Sequence, residues 1–196
     1  MTKKITVHPS AKALIFDIDG TLADTMPAHY AVYKKILGTY GIDFTEELFN
    51  SFAGMPVLPQ MKLMKERYNP ENFDPVQVAI SKEDEYYYTI EACKPIQPVL
   101  DVFDAYHGKM PIGCGTGGEH RIATRTLEVL GILDKIDALV TSDDVEHGKP
   151  APDTFLKCAA MMGVDPQFCQ VFEDGDPGIE AAKAAGMMVT DIREFI

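Results

Sequence analysis

No segment of the chain comes near the roughly 18 consecutive apolar residues that a membrane-spanning helix requires. The opening Met1-Thr2-Lys3-Lys4-Ile5-Thr6-Val7-His8-Pro9 has no apolar signal core either. A cytoplasmic protein with no membrane partner is therefore expected. Also missing is any clustered run of Lys and Arg. With a formal net charge of -12, the chain lacks the basic patch on which phosphate-backbone affinity depends, so no nucleic-acid partner is expected. Net charge describes a whole surface, and a small anionic substrate is still admissible where a few cations gather. No Cys-x-x-Cys pair occurs. Cys93, Cys114, Cys158 and Cys169 are scattered, and a chain of 196 residues with 46% apolar content needs no disulfide staples. They read as reduced core residues.

Five short apolar runs are present: Ala13 to Asp17, Met110 to Gly115, Ala138 to Thr141, Gln170 to Glu173 and Met187 to Asp191. They read as buried strands of a parallel sheet. Helical patterns at Glu119 to Leu130, Pro152 to Met162 and Pro177 to Ala185 separate the later runs. Gly131, Gly163 and Gly186 stand just past their ends as stops. This alternation predicts an α/β fold, a Rossmann-like doubly wound parallel sheet. From about Asp24 to Lys94 the alternation breaks. Tyr30, Tyr33, Ile36, Leu37 and Tyr40 are spaced as a helical face, and no convincing strand is visible. The stretch reads as a helical insertion, with this aromatic set and Tyr86-Tyr87-Tyr88 assigned to packing or surface.

Ligands of open α/β sheets bind beyond the carboxyl ends of the strands, so the polar residues there should share a crevice. The first strand ends in Asp17-Ile18-Asp19-Gly20-Thr21. Two carboxylates so close repel each other unless a cation or a proton intervenes, which suits a Mg²⁺ site or a nucleophile beside an acid. Gln170-Val171-Phe172-Glu173-Asp174-Gly175-Asp176 ends another strand in carboxylates. Asp174 can complete an oxygen-rich metal site, whereas Asp176, just before Pro177, reads as a helix cap. Gly115-Thr116-Gly117-Gly118 offers a hydroxyl and backbone N–H groups to an anion. His147-Gly148-Lys149-Pro150-Ala151-Pro152-Asp153 sets a lysine on a stiff loop, where its ammonium can hold a phosphate or offset carboxylates.

With Asp17-x-Asp19-Gly-Thr21, then Thr116, then Gly-Lys149-Pro-Ala-Pro, then Glu173-Asp174-Gly in order, the chain resembles the haloacid dehalogenase-like hydrolases over nearly its whole length. The insertion resembles the helical cap of the subgroup that contains phosphoglycolate phosphatase and β-phosphoglucomutase. His147 to Phe155 and Phe172 to Ile179 are most similar to bacterial fructose-1-phosphate and 6-phosphogluconate phosphatases. The resemblance implies a core of residues 1–23 and 96–196 and a cap of residues 24–95. It implies that Asp17 attacks phosphorus, forming an aspartyl phosphate. Asp19 then protonates the leaving oxygen and later activates water. Thr116, Gly117 and Lys149 would hold the phosphoryl group. Asp17, the Asp19 carbonyl and Asp174 would bind Mg²⁺, with Glu173 in support. By loose alignment His29, Gly54, Met55 and Lys62 are candidate cap contacts with the substrate. A monomer or weak dimer is expected.

Four rivals are open at this point. Dehalogenases of the fold lack the second aspartate, so Asp19 disfavours carbon attack. β-Phosphoglucomutase grips a second phosphate with a cationic cap residue where this chain has Ala53-Gly54-Met55-Pro56-Val57, which favours a phosphatase. A phospho-acceptor signalling module would join similar residue types, but needs neither Asp19 nor a cap-sized insertion. An idle relative would show a damaged motif, and none of the four is damaged.

Overall fold

The computed structural model describes residues 4–52 and 55–196. Strand β1 (Ala13–Phe16) is followed by the two-residue strand β2 (Ala23–Asp24). Four helices come next: α1 (Met26–Gly38), α2 (Glu46–Asn50), α3 (Val57–Tyr68) and α4 (Pro75–Thr89). The chain returns through β3 (Lys94–Pro95) and α5 (Gln97–Tyr106). It then alternates through β4 (Ile112–Gly115), α6 (His120–Val129), β5 (Ala138–Val140), α7 (Asp153–Met162), β6 (Cys169–Glu173), α8 (Asp176–Ala184) and β7 (Met188–Asp191).

Five strands form one parallel sheet in the order β5-β4-β1-β6-β7. Successive side chains of a strand point to opposite faces, and in central β1 both faces are apolar and fully buried. Leu14 and Phe16 pack with Val102, Phe103 and Leu127 on one side, while Ala13 and Ile15 pack with Phe155, Cys158 and Ala181 on the other. Helices on both faces make the Rossmann-like doubly wound arrangement that the alternation predicts. The glycine stops Gly131, Gly163 and Gly186 all take the left-handed conformation. Cys114, Cys158 and Cys169 are buried free thiols, and Cys93 is partly buried and free.

The four inserted helices have their own apolar cluster, in which Tyr33 and Leu37 meet Phe44, Met61, Met64 and Val78. Tyr30, Ile36 and Tyr40 pack against it. Thr45 caps α2 by accepting from the Leu48 N–H, and Asp74 caps α4 by accepting from the Val76 N–H. The Tyr86-Tyr87-Tyr88 run divides: Tyr86 is fully buried and Tyr88 is 80% exposed.

Two features depart from the sequence reading. The insertion is bounded by an antiparallel ribbon pairing Ala23 with Pro95 and Asp24 with Lys94; strands of two residues show no periodicity to detect. Helix α5 is also additional, although Val99, Val102, Phe103 and Tyr106 carry a helical spacing. Among the described residues, no helix is long and apolar enough to cross a membrane.

Candidate active site

Beyond the carboxyl end of β1 the backbone turns sharply, and Gly20 adopts φ +87. A Cβ at that position would collide with the Asp174 carboxylate. Glycine is thus required twice here, for its dihedral and for the close approach of β6's acidic end. Ile18 is buried in the core between Asp17 and Asp19, and the two carboxylates make different contacts.

Asp17 joins Glu173 and Asp174 in a group whose carboxylate oxygens all lie within 4.8 Å of one another. Lys149 reaches in from the loop before α7. Its Nζ donates to Asp17 Oδ1 at 2.6 Å and to Glu173 Oε2 at 2.7 Å, with 6% of its side chain exposed. Its ammonium lies 4.9 Å from the centre of the Phe155 ring. Glu173 Oε1 accepts from the Gly175 N–H at 3.0 Å, and Asp174 Oδ1 accepts from the Thr21 hydroxyl at 2.8 Å. Burial pushes the Asp17 carboxyl well above its ordinary range; Glu173 adds to the rise and Lys149 opposes it. Burial and Glu173 likewise raise Asp174, to about 6. Burial would lower the Lys149 ammonium, but the charges of Asp17 and Glu173 outweigh it and raise it. One ammonium faces three carboxylates. That imbalance, and the hard oxygen donors, fit a divalent cation of the Mg²⁺ type.

Asp19 stands outside this acidic group, with His29 Nε2 3.6 Å from its Oδ1. His29 Nδ1 lies 2.9 Å from Lys82 Nζ. An ammonium can only donate, so Nδ1 must accept and the imidazole proton sits on Nε2, facing Asp19. Burial pushes the Asp19 carboxyl up, but His29, Thr25 and Lys82 outweigh it and hold it below its ordinary value. Burial and the neighbouring ammonium lower His29, which keeps the imidazole neutral. The His29 ring stacks on Tyr86 with centroids 3.7 Å apart. Asp19 Oδ1 is buried without a hydrogen-bond partner among the described residues.

Thr116 follows β4 and is buried; its Oγ1 accepts from the Gly118 N–H at 3.0 Å. A Cβ placed on Gly118 would lie 3.4 Å from both Thr116 Oγ1 and Asp19 Oδ2, so hydroxyl and carboxylate border one small space. Gly117 is exposed beside them.

A cavity of about 330 Å³ joins these groups. Asp17, Asp19, Thr116, Gly117, Lys149, Glu173 and Asp174 line its sheet side, and His29, Tyr33, Phe52, Met55, Gln60, Lys82 and Glu83 line its helical side. Every candidate site residue named from sequence lies on this cavity except Gly54, which is outside the described residues, and Lys62, which is exposed on α3 and away from it. Asp176 is the first residue of α8 and not its cap: Gly175 holds the N-cap position, no side chain caps the helix, and the Asp176 carboxylate pairs with Arg193 at 2.8 Å; its place in the first turn still suits the helix dipole. Sequence reasoning missed Lys82, Glu83, Tyr33 and Gln60. Lys82 and Glu83 share the buried stripe of α4 with Val78, Ala79 and Tyr86. Charged residues on an apolar stripe were the available signal.

A profile of the haloacid dehalogenase-like hydrolases matches residues 11–186. The chain is 41% identical over 181 residues to the fructose-1-phosphate phosphatase YqaB of Escherichia coli, covering 92% of this chain and 95% of that protein. It is 29% identical to a phosphorylated carbohydrates phosphatase of Thermotoga maritima, covering 90% and 82% respectively. Among solved structures, a β-phosphoglucomutase from Clostridium difficile superposes with a TM-score of 0.79 at 28% identity, covering 91% of this chain and 83% of that one.

Proposed function

The chain belongs to the haloacid dehalogenase-like hydrolases, and on that footing we propose that it is a Mg²⁺-dependent phosphatase of a small sugar phosphate, of the fructose-1-phosphate or 6-phosphogluconate kind. The observation that carries this reading is the division of labour at the end of β1. Asp17 meets Lys149 within the acidic group, Asp19 meets the His29–Lys82 pair, and both border one cavity. Residues 24–95 act in this reading as a cap over a core of residues 1–23 and 96–196.

Asp17 is the nucleophile. Its carboxylate attacks phosphorus and forms an aspartyl phosphate, dividing one difficult displacement into two. Lys149 steadies the nucleophile and faces the transferring oxygens, while the Thr116 hydroxyl and the Gly117 N–H hold the phosphoryl group. Asp19 gives its proton to the leaving oxygen and recovers one from the water that cleaves the aspartyl phosphate. Its low pKa suits the second step. The charge of an incoming phosphate works the other way and favours the protonated carboxyl that the first step needs. His29 orients Asp19, and Lys82 fixes the tautomer of His29. Asp17, Asp174 and the Asp19 carbonyl would hold Mg²⁺, which when bound would neutralise charge on the transferring oxygens. Glu173 supports that site, since its two oxygens are taken by Lys149 and the Gly175 N–H.

No arginine lines the cavity among the described residues, which favours hydrolysis over a mutase that must grip a second phosphate. The test is phosphate release from a panel of sugar phosphates and phosphorylated acids, with Mg²⁺ and with EDTA, using Asp17→Asn as the blank. Release that EDTA and the variant both abolish is expected. No release, with labelled phosphate retained on Asp17, would point instead to a phospho-acceptor module.

A further inference from the structure

Helix α4 buries two adjacent charged side chains at the wall of the cavity: Lys82 is 1% exposed and Glu83 is 7% exposed. Glu83 Oε1 accepts from Lys82 Nζ at 3.0 Å, and among the described residues no hydrogen bond engages its Oε2. Glu83 borders the cavity, and a carboxylate oxygen there is an acceptor available to a bound ligand. The two lysines of the cavity are both committed, Lys82 to Glu83 and His29, and Lys149 to Asp17 and Glu173. Among the described residues, no uncommitted cation faces the space a leaving group would fill. Glu119 and Asp143 border the same cavity. Burial raises the Glu119 carboxyl and the charges of Glu83 and Asp143 add to the rise, so the three share one negative field.

Resting on the phosphatase reading, we infer that Glu83 determines specificity. It accepts a hydrogen bond from a hydroxyl of the leaving group, and the substrate is a phosphate monoester of a neutral polyhydroxy compound. Analogues carrying a carboxylate or a second phosphate are rejected, which narrows the proposed substrate to the fructose-1-phosphate kind and sets aside the 6-phosphogluconate kind. A second anion would meet like charge with no free cation to receive it, and like-charge juxtaposition is an efficient way to exclude a wrong ligand. An analogue without the hydroxyl leaves Glu83 Oε2 unpaired, the arrangement by which polar sites discriminate most strongly.

The experiment compares kcat/KM for a hexitol monophosphate, the aldonic acid monophosphate of equal length, a hexose bisphosphate and an aryl phosphate with no hydroxyl groups. The wild-type protein is expected to prefer the hexitol ester over both extra anions by at least about tenfold. Glu83→Gln is expected to lose at least about tenfold more on the hexitol ester than on the aryl phosphate. Glu83→Asp keeps the charge but withdraws it by one methylene, and should lose the hydroxyl preference while still excluding the anions. Equal or better use of an acidic ester by the wild type overturns the inference, as does an equal loss on every substrate in both variants. The wild-type comparison stands even where a variant does not fold. Hydrolysis of the aryl ester without this selection sinks the inference alone, whereas no hydrolysis of any ester sinks the phosphatase reading and the inference together.

Discussion

Asp174→Asn stabilises the metal-free protein at neutral pH. Burial and the charge of Glu173 raise the Asp174 carboxyl from its ordinary 3.8 to about 6, so between those values the folded state binds more protons than the unfolded chain. Stability therefore falls as pH rises through this window. The full rise corresponds to about 3 kcal/mol of destabilisation above pH ~6. The amide has no charge to bury, and its oxygen can still accept from the Thr21 hydroxyl that now bonds Asp174 Oδ1. The assay is urea unfolding of both proteins in EDTA from pH 4 to 8. Their difference should be near zero at pH 4 and grow to as much as about 3 kcal/mol in favour of the variant by pH 7. For a chain of this length that is a rise in Tm of roughly 6–12 °C. Added Mg²⁺ should stabilise the wild type and not the variant. A variant less stable than the wild type at pH 7 in EDTA, or a difference independent of pH, would refute the electrostatic account of the acidic group.

Three further outcomes are expected. Asp17→Asn removes steady-state turnover while the thermal melt persists, because an amide cannot form the aspartyl phosphate; phosphate release by a clean preparation would remove Asp17 as nucleophile. Lys149→Ala loses about a hundredfold or more in kcat/KM for the preferred sugar phosphate, and an unchanged value would return Lys149 to a structural role. Gly178→Ala drives a Cβ into the Glu173 carboxylate, displacing it from Lys149. Overpacking of this kind destabilises by about 1–3 kcal/mol, read by urea unfolding, and a wild-type midpoint would show that Glu173 can yield.

What could be read from sequence, and what could not, follows from the range of the interactions. The strands were legible because both faces of a central strand are apolar, as Ala13 to Phe16 show. The site residues on the sheet side were legible because each ends a strand or opens a loop at the same sheet edge. Lys82 was not, because its meaning depends on His29, far away in sequence. A lysine followed by a glutamate on a helix ordinarily describes a solvated surface. Only burial and the ring of His29 give the pair its role. The orientation of Asp19 was equally hidden, since Asp-x-Asp spacing says nothing of what each carboxylate meets.

The two-residue ribbon of Ala23 with Pro95 and Asp24 with Lys94 fixes the exit and re-entry of the helical run side by side. Insertions, deletions or wholesale exchange between those two points leave the ends of the run where they were, and the pairing of β1 with β4 and β6 need not slip by a residue. The sheet side and the helical side of the cavity are therefore carried by separate stretches of chain, so that a change in the length of one leaves the strand register of the other where it was.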